Sequence, residues 1–498
     1  MSKKFQLVRL FFGVLGLTLQ FFTFAAAQEM NVTLSIDEKR PYELTVTGSF
    51  KQERPLNESH VLAFAENVAG VVLPAERISK PYARDDQGNA LQLVTTPRCC
   101  IALGKIVDFS YIVDLRSTYR LRDAAHVSWL KDQTGVLMLG DLLPQEFKPT
   151  GKIRNATVNL ELPNGWKHFS TARQGPSGTL VISDLDYSAI FVGTGWRSSQ
   201  FEVERNRFTV VTGGNFQVSY DEIDSRSRAI LLDYSRLFGE LSGGNYLIAV
   251  YRPNLATGEW AADTRGRTAL IATTEMPFKS QTLQQLDEQL RHELFHFWIP
   301  NGVSLSGRYD WFYEGFALYS SLRLAVRSNT IRFDDMLDTL GRAFSVETST
   351  GLIQLTKERY GGSERELYAK GLAFAFLCDL ALNISSKGKR SSDTLVRELY
   401  QTYSDRAERT DGNEAVLKLL NSYPELRPIV GEYVTETKGR PDKQLIHAAS
   451  LFDNSGLDLM TSNGIKKLSV RSKLNSRQKA ILDKLGYNSW RKLVKDSK

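Results

Sequence analysis

The sequence predicts an α+β chain of several domains: an N-terminal β-sheet domain (sandwich or saddle), a mixed α/β domain, and a C-terminal α-helical domain. Three observations predict it. At 498 residues the chain is longer than one hydrophobic core sustains. Up to about Trp196 its apolar residues recur at a period of two, the mark of half-buried strands. Beyond Gly195 the dominant spacing becomes three and four, the mark of helices with one apolar side. The resulting boundaries are 1–27 for a leader, 28–197 for the β domain, 198–385 for the middle domain and 386–498 for the helical one.

In the leader, Lys3, Lys4 and Arg9 precede an apolar run from Leu10 to Phe24, which closes on Ala25-Ala26-Ala27. Basic, then apolar, then small residues make the form of a secretory signal peptide. The mature chain is therefore expected to be exported, to a bacterial periplasm first, with a secreted or a signal-anchored protein as alternatives. A membrane is a partner only if the leader stays uncleaved, because no later segment reads as a second span. A hydrophobic fraction of 42% with 24% charge is that of a soluble globular protein. The net charge of +7 is spread along the chain, apart from basic stretches at Lys387–Arg390 and through the C-terminal tail, and lacks the clustering with interleaved aromatics of a nucleic-acid face. Three cysteines are too few for a disulfide framework. Cys378 falls in an apolar helical pattern, while Cys99 and Cys100 either bond to each other or leave a thiol free. Nothing in the sequence sets an oligomeric state.

In the β domain, Val32, Leu34 and Ile36 alternate with polar residues, as do Leu44 and Val46, and Ala156, Val158, Leu160 and Leu162. Pro163-Asn164-Gly165 and Pro176-Ser177-Gly178 supply turns. No titratable cluster stands out there, so this domain reads as scaffold and as one wall of any substrate cleft. In the middle domain a helix is expected over 228–237, and strands over 246–250 and 268–272. Leu283, Leu286, Leu290, Leu294 and Phe297 make one apolar stripe along a helix from Thr282 to Trp298. Trp311–Ser328 and Glu364–Leu382 read as buried helices. Past Ser385 the pattern is helical with polar joints and a break at Gly439-Arg440-Pro441.

The chemistry lies in Arg291-His292-Glu293-Leu294-Phe295-His296. Histidines four apart on a helix project from one side, one turn apart, so both imidazoles reach a single zinc ion. The glutamate after the first histidine then faces a water on that ion. A catalytic zinc needs a third protein ligand and an open position. Glu314, in Trp311-Phe312-Tyr313-Glu314-Gly315-Phe316-Ala317, lies eighteen residues beyond His296 across the turn Pro300-Asn301-Gly302. An acid early in an apolar helix is costly unless it is paired or bound to a cation. A partner such as Arg308 is the plain alternative to a metal.

H-E-x-x-H followed by W-x-x-E-G-F-A-x-Y resembles the gluzincin zinc peptidases of the aminopeptidase-N and leukotriene-hydrolase type, and the related glycyl aminopeptidases. Tyr368-Ala369-Lys370-Gly371-Leu372-Ala373 is similar to their Y-x-K-G-A stretch. The resemblance implies a thermolysin-like middle domain, one zinc ion held by His292, His296 and Glu314, and Glu293 as the base that activates water. It implies Tyr368 as the hydrogen-bond donor to the oxyanion, and a peptide or protein as the substrate. Softer similarity at Tyr187–Gly193 matches the junction into the catalytic domain of the glycyl aminopeptidases. The family's G-A-M-E-N segment, whose glutamate binds a free amine, is absent. Asp263 and Glu275 are the candidates for that task here, so an aminopeptidase is expected, with an endopeptidase of the same fold, or an inactive zinc-binding module, as alternatives.

Overall fold

The computed structural model describes residues 29–50, 60–73, 75–116, 120–146, 153–253, 257–346, 348–404, 406–435 and 441–488. The leader lies outside the described residues. The N-terminal region is built on a seven-stranded sheet in which Glu29–Ile36 pairs parallel with Asn155–Glu161 and antiparallel with Glu43–Phe50. Its inward residues, among them Val32, Leu34, Val46 and Val158, share one core with Leu137, Ile190 and Val192 of a four-stranded sheet. The two sheets thus pair as in a sandwich. The strands Thr134–Met138 and Ala189–Gly193 of the smaller sheet are buried at every residue. Their far side packs through Trp129, Val136 and Phe191 onto Trp196, Val211, Leu247 and Leu270 of the next sheet. A strand covered on both faces loses the alternation that a half-exposed strand displays.

That next sheet has five strands, in the order Trp196–Val203, Asn206–Gly213, Gly244–Tyr251, Thr268–Thr273, Trp260–Arg265. The last of these is an antiparallel edge strand. The helix expected over 228–237 runs from Tyr220 to Phe238, started by a reciprocal Ser219–Glu222 cap. The sheet's other face meets a helical layer: Lys279–Phe295, Asp310–Arg327 and Glu364–Ser386. The last helix meets the length and apolarity needed to cross a membrane, contrary to the sequence reading, yet 83% of that stretch is buried inside the protein. It is the central packing element of the layer.

Among the described residues, the region beyond Ser385 has no separate core. Leu395, Leu399, Val416, Phe452 and Leu482 join the same cluster as Leu290, Phe316 and Phe376. It is also not purely helical. Leu457–Ser462 and Ile465–Val470 form a hairpin that lies on the helix Phe333–Ser345, with Gly341 against the backbone of Lys466. Cys99 and Cys100 are joined by a disulfide, and Cys378 is free and buried.

Candidate metal centre and cleft

The helix Lys279–Phe295 buries Leu286, Leu290 and Leu294 in the core and ends at the motif. His292 and Glu293 occupy its last turn, and His296 follows as the C-cap, still in helical conformation. The one-turn relation between the histidines therefore survives the helix end, and the two rings meet edge to face. His296 Nδ1 lies 3.0 Å from the carbonyl oxygen of Ile299. As donor to that oxygen, Nδ1 carries the proton and Nε2 is left with a lone pair.

Glu314 arrives on the helix Asp310–Arg327, which crosses Glu364–Ser386 at two glycines. A Cβ on Gly315 would stand 2.5 Å from the backbone of Gly371, and one on Gly371 would stand 3.2 Å from Gly315. Only this close backbone approach lets the second motif and the Tyr368 segment share one site. The result brings His292 Nε2 within 3.2 Å of His296 Nε2 and 3.2 Å of Glu314 Oε2, with 3.7 Å from His296 Nε2 to Glu314 Oε2. A tetrahedral ion holding nitrogen and oxygen donors at about 2.0–2.1 Å needs them roughly 3.3 Å apart. All three residues are buried, and among the described residues Glu314 Oε2 has no hydrogen-bond partner. The donor set therefore fits zinc.

Burial lowers His296 to about 4, so its ring is neutral near pH 7. At His292 burial also lowers the pKa, but the adjoining Glu314 and Glu293 carboxylates outweigh it and the net shift is upward. Burial opposes ionisation of Glu314, yet Arg359 and the two histidines hold it well below the ordinary carboxylate range. Glu293 differs: burial pushes it up to about 7, moderated by His292 and by the hydroxyl of Thr264. That hydroxyl donates to Glu293 Oε2 at 2.6 Å.

These groups line a cavity of about 340 Å³ between the β domain and the helical layer. Tyr368 lines it too, its hydroxyl accepting a hydrogen bond from Arg359 Nη2 at 2.5 Å. The edge strand Trp260–Arg265 forms one wall and contributes Asp263, Thr264 and Arg265. The β domain adds Arg122, His126, Asp186 and Tyr187, so its cleft-facing side does carry ionisable groups, which the sequence left unmarked. Asn301, in the turn after the second histidine, bonds Thr264 O and Gly266 N and fixes the strand against the motif helix.

Three expectations change. Asp263 is in the cavity, but its Oδ2 already meets Arg265 Nε at 2.7 Å and His126 Nδ1 at 3.2 Å. Glu275 is outside it, held by the backbone N–H of Gln217 and by Arg252 at 3.1 Å, because it lies past the end of the strand Thr268–Thr273. Nor does Arg308 serve Glu314. It turns to the carbonyls of Thr356 and Lys357, while Arg359 Nη1 pairs with Glu314 Oε1 at 3.1 Å. Arg359, Thr264 and His126 were not picked out from the sequence. The demand of a buried carboxylate for a cation was legible, but which arginine meets it was not.

A two-histidine helix end, a glutamate from the next helix and a cleft along a sheet edge make a site whose donors could hold a metal ion. The fold is that of the aminopeptidase-N-like, or gluzincin, metallopeptidase structures. The chain is similar to an aminopeptidase N family protein from Idiomarina loihiensis, with a TM-score of 0.69 at 16% identity over 90% of this chain and 82% of that one. It is similar to the M1 zinc metallopeptidase of Deinococcus radiodurans in a mutant form, with a TM-score of 0.53 at 14% identity over 83% and 94%. The same mutant bound to a Tyr-Ser-Ala substrate matches with a TM-score of 0.52 at 14% identity over 84% and 95%. No sequence-family model and no curated protein matches the chain.

Proposed function

We propose that the chain is an exported, zinc-dependent peptidase, of aminopeptidase type, acting on peptides or proteins. The carrying observation is the triangle of His292 Nε2, His296 Nε2 and Glu314 Oε2, with the Glu293 carboxyl beside it in one cavity. His292, His296 and Glu314 would hold a zinc ion, which would supply Lewis acidity: a water pKa lowered toward about 7 and a polarised carbonyl oxygen. Glu293, steadied by Thr264, accepts the proton of the attacking water and returns it to the leaving amine. Burial favours the protonated form of the Glu293 carboxyl, which makes it a better proton acceptor than an exposed one. Tyr368 donates its hydroxyl hydrogen to the oxygen that gains charge. Export rests on the leader sequence, with the bacterial periplasm as the destination.

The aminopeptidase form of the reading is supported by the likeness to an aminopeptidase N family protein, and a peptide substrate by the similar structure that holds Tyr-Ser-Ala. The contact of Asp263 with Arg265 and His126 favours a second reading, an endopeptidase, because a carboxylate so compensated is a weaker anchor for an ammonium group. Hydrolysis of a mixed peptide library decides both questions. Wild type should cleave and Glu293→Gln should be slower by about 10³-fold, in the range of a lost general base, with about one zinc per chain in each. A Gln variant near wild-type rate would sink the assignment. Release of single N-terminal residues, blocked by N-acetylation, marks an aminopeptidase; internal fragments mark an endopeptidase.

A further inference from the structure

Arg359 holds a place that no motif accounts for. It opens the single turn Arg359–Gly361 after the helix Leu352–Glu358, whose Thr356 hydroxyl accepts from the backbone N–H of Trp311 in the second motif helix. Its side chain is 12% exposed. Nη1 stands 3.1 Å from Asp310 Oδ2 and 3.1 Å from Glu314 Oε1, while Nη2 donates to the Tyr368 hydroxyl at 2.5 Å. The guanidinium also lies 5.2 Å from the centre of the Tyr368 ring.

We propose that Arg359 is a positioning residue that sets the third zinc ligand and the oxyanion donor at once. This rests on the peptidase reading above. A carboxylate can grip an ion with one oxygen or two, and gripping with two would crowd the position a catalytic zinc must keep open. With Oε1 taken by Arg359, only Oε2 of Glu314 faces the histidines. At Tyr368 the oxygen accepts from the cation, so its own hydrogen is left to point into the cleft. A phenol that accepts a charge-assisted bond is also a stronger donor. One planar fork makes both contacts, with Asp310 bracing it from behind. A lysine keeps the charge but not the fork.

The test compares wild type, Arg359→Gln and Arg359→Lys, alone and combined with Tyr368→Phe. Zinc affinity is read by chelator competition, kcat and KM on one peptide at saturating zinc, and folding by melting temperature. In both Arg359 variants zinc affinity should fall by about 10–100-fold, the cost typical of losing a partner that orients a ligand. Their kcat should fall by about 100-fold with KM within about threefold, because the Tyr368 contact matters in the transition state. In the Tyr368→Phe background the loss in kcat should shrink to less than about tenfold, since Arg359 then has no hydroxyl to act through. A merely structural arginine would not produce that coupling. If Arg359→Gln does not fold, Arg359→Lys carries the test. Folded variants that keep zinc affinity and kcat within about threefold, or losses undiminished in the Phe background, would overturn the proposal. Wild type that neither binds zinc nor cleaves would instead overturn the peptidase reading and this inference with it.

Discussion

Two walls of the cleft each present a carboxylate beside an arginine, and they use the pair differently. At the helical wall Glu314 divides its oxygens, Oε1 to Arg359 and Oε2 toward the Nε2 atoms of His292 and His296. At the sheet wall Asp263 gives the same oxygen, Oδ2, to both Arg265 and His126. His126 ends the short helix Leu121–His126 of the β domain, and Arg265 Nη2 also donates to its carbonyl oxygen at 2.7 Å. The sheet-wall cluster therefore ties two parts of the chain together, and the helical-wall cluster aims a ligand. Both carboxyls are held well below the ordinary range against the pull of burial, so electrostatics alone does not tell them apart. What differs is that the second oxygen of Glu314 faces the two histidine Nε2 atoms.

The comparison is broken or upheld first by making the same neutral replacement at each wall. Glu314→Gln should abolish zinc binding at micromolar metal and lower kcat/KM by about 10³-fold or more, as expected where a metal carries the activation of water. Zinc content by atomic emission and peptide hydrolysis measure both. Retained zinc would mean that Glu314 serves Arg359 and nothing else. A smaller effect should follow Gly315→Ala, which places a methyl 2.5 Å from the backbone of Gly371. Forcing the helices apart should destabilise the protein by about 1–3 kcal/mol and slow turnover through displacement of Glu314 from Tyr368. Urea denaturation and kcat read the two parts.

How legible the walls were follows from the reach of the interactions. The helical wall rests on His292, Glu293 and His296, whose geometry is local to one helical turn, so their spacing alone disclosed them. Glu314 was legible as a buried acid early in an apolar helix. The glycines of the two later motifs acquire a reason only in three dimensions, where Gly315 meets Gly371. Arg359 and His126 could not be found this way, since their contacts with Glu314 and Asp263 bridge long sequence separations. The edge strand Trp260–Arg265 is half-buried along most of its length without alternation and gave no periodic signal. The C-terminal hairpin, by contrast, had one: Asn463-Gly464, both at positive φ, directly ahead of a strand whose first residues alternate in burial. The helical expectation there overlooked a turn that was written in the chain.

At the sheet wall, Asp263→Asn should keep zinc and lower kcat/KM by less than about tenfold, because it loosens a strap and touches no ligand. Its larger signature is in stability. The folded pKa of Asp263 is depressed, so its contribution is full above the unfolded carboxyl pKa of about 3.9 and is lost as pH falls below that value. Wild type should therefore melt above the Asn variant at pH 7, with the gap closing on acidification from about pH 5. A gap that is constant with pH would mean that the pairing with Arg265 and His126 contributes no stability.

The smallest effect belongs to Glu275, the acid expected near the substrate that proves to be outside the cleft. Its partners, Gln217 N–H and Arg252, join two loops at the end of the five-stranded sheet. A glutamine of the same shape can still accept from Gln217 and keeps the neighbours in place. Glu275→Gln should leave kcat/KM on free-amine peptides within about twofold and lower stability by no more than about 1 kcal/mol, the scale of a partly exposed ion pair. If it raised KM tenfold for free-amine peptides while sparing N-acetylated ones, an ammonium would have to reach Glu275. The loops around Gln217 and Arg252 would then open in solution, and the amine end of the cleft would extend beyond the wall that Asp263 marks.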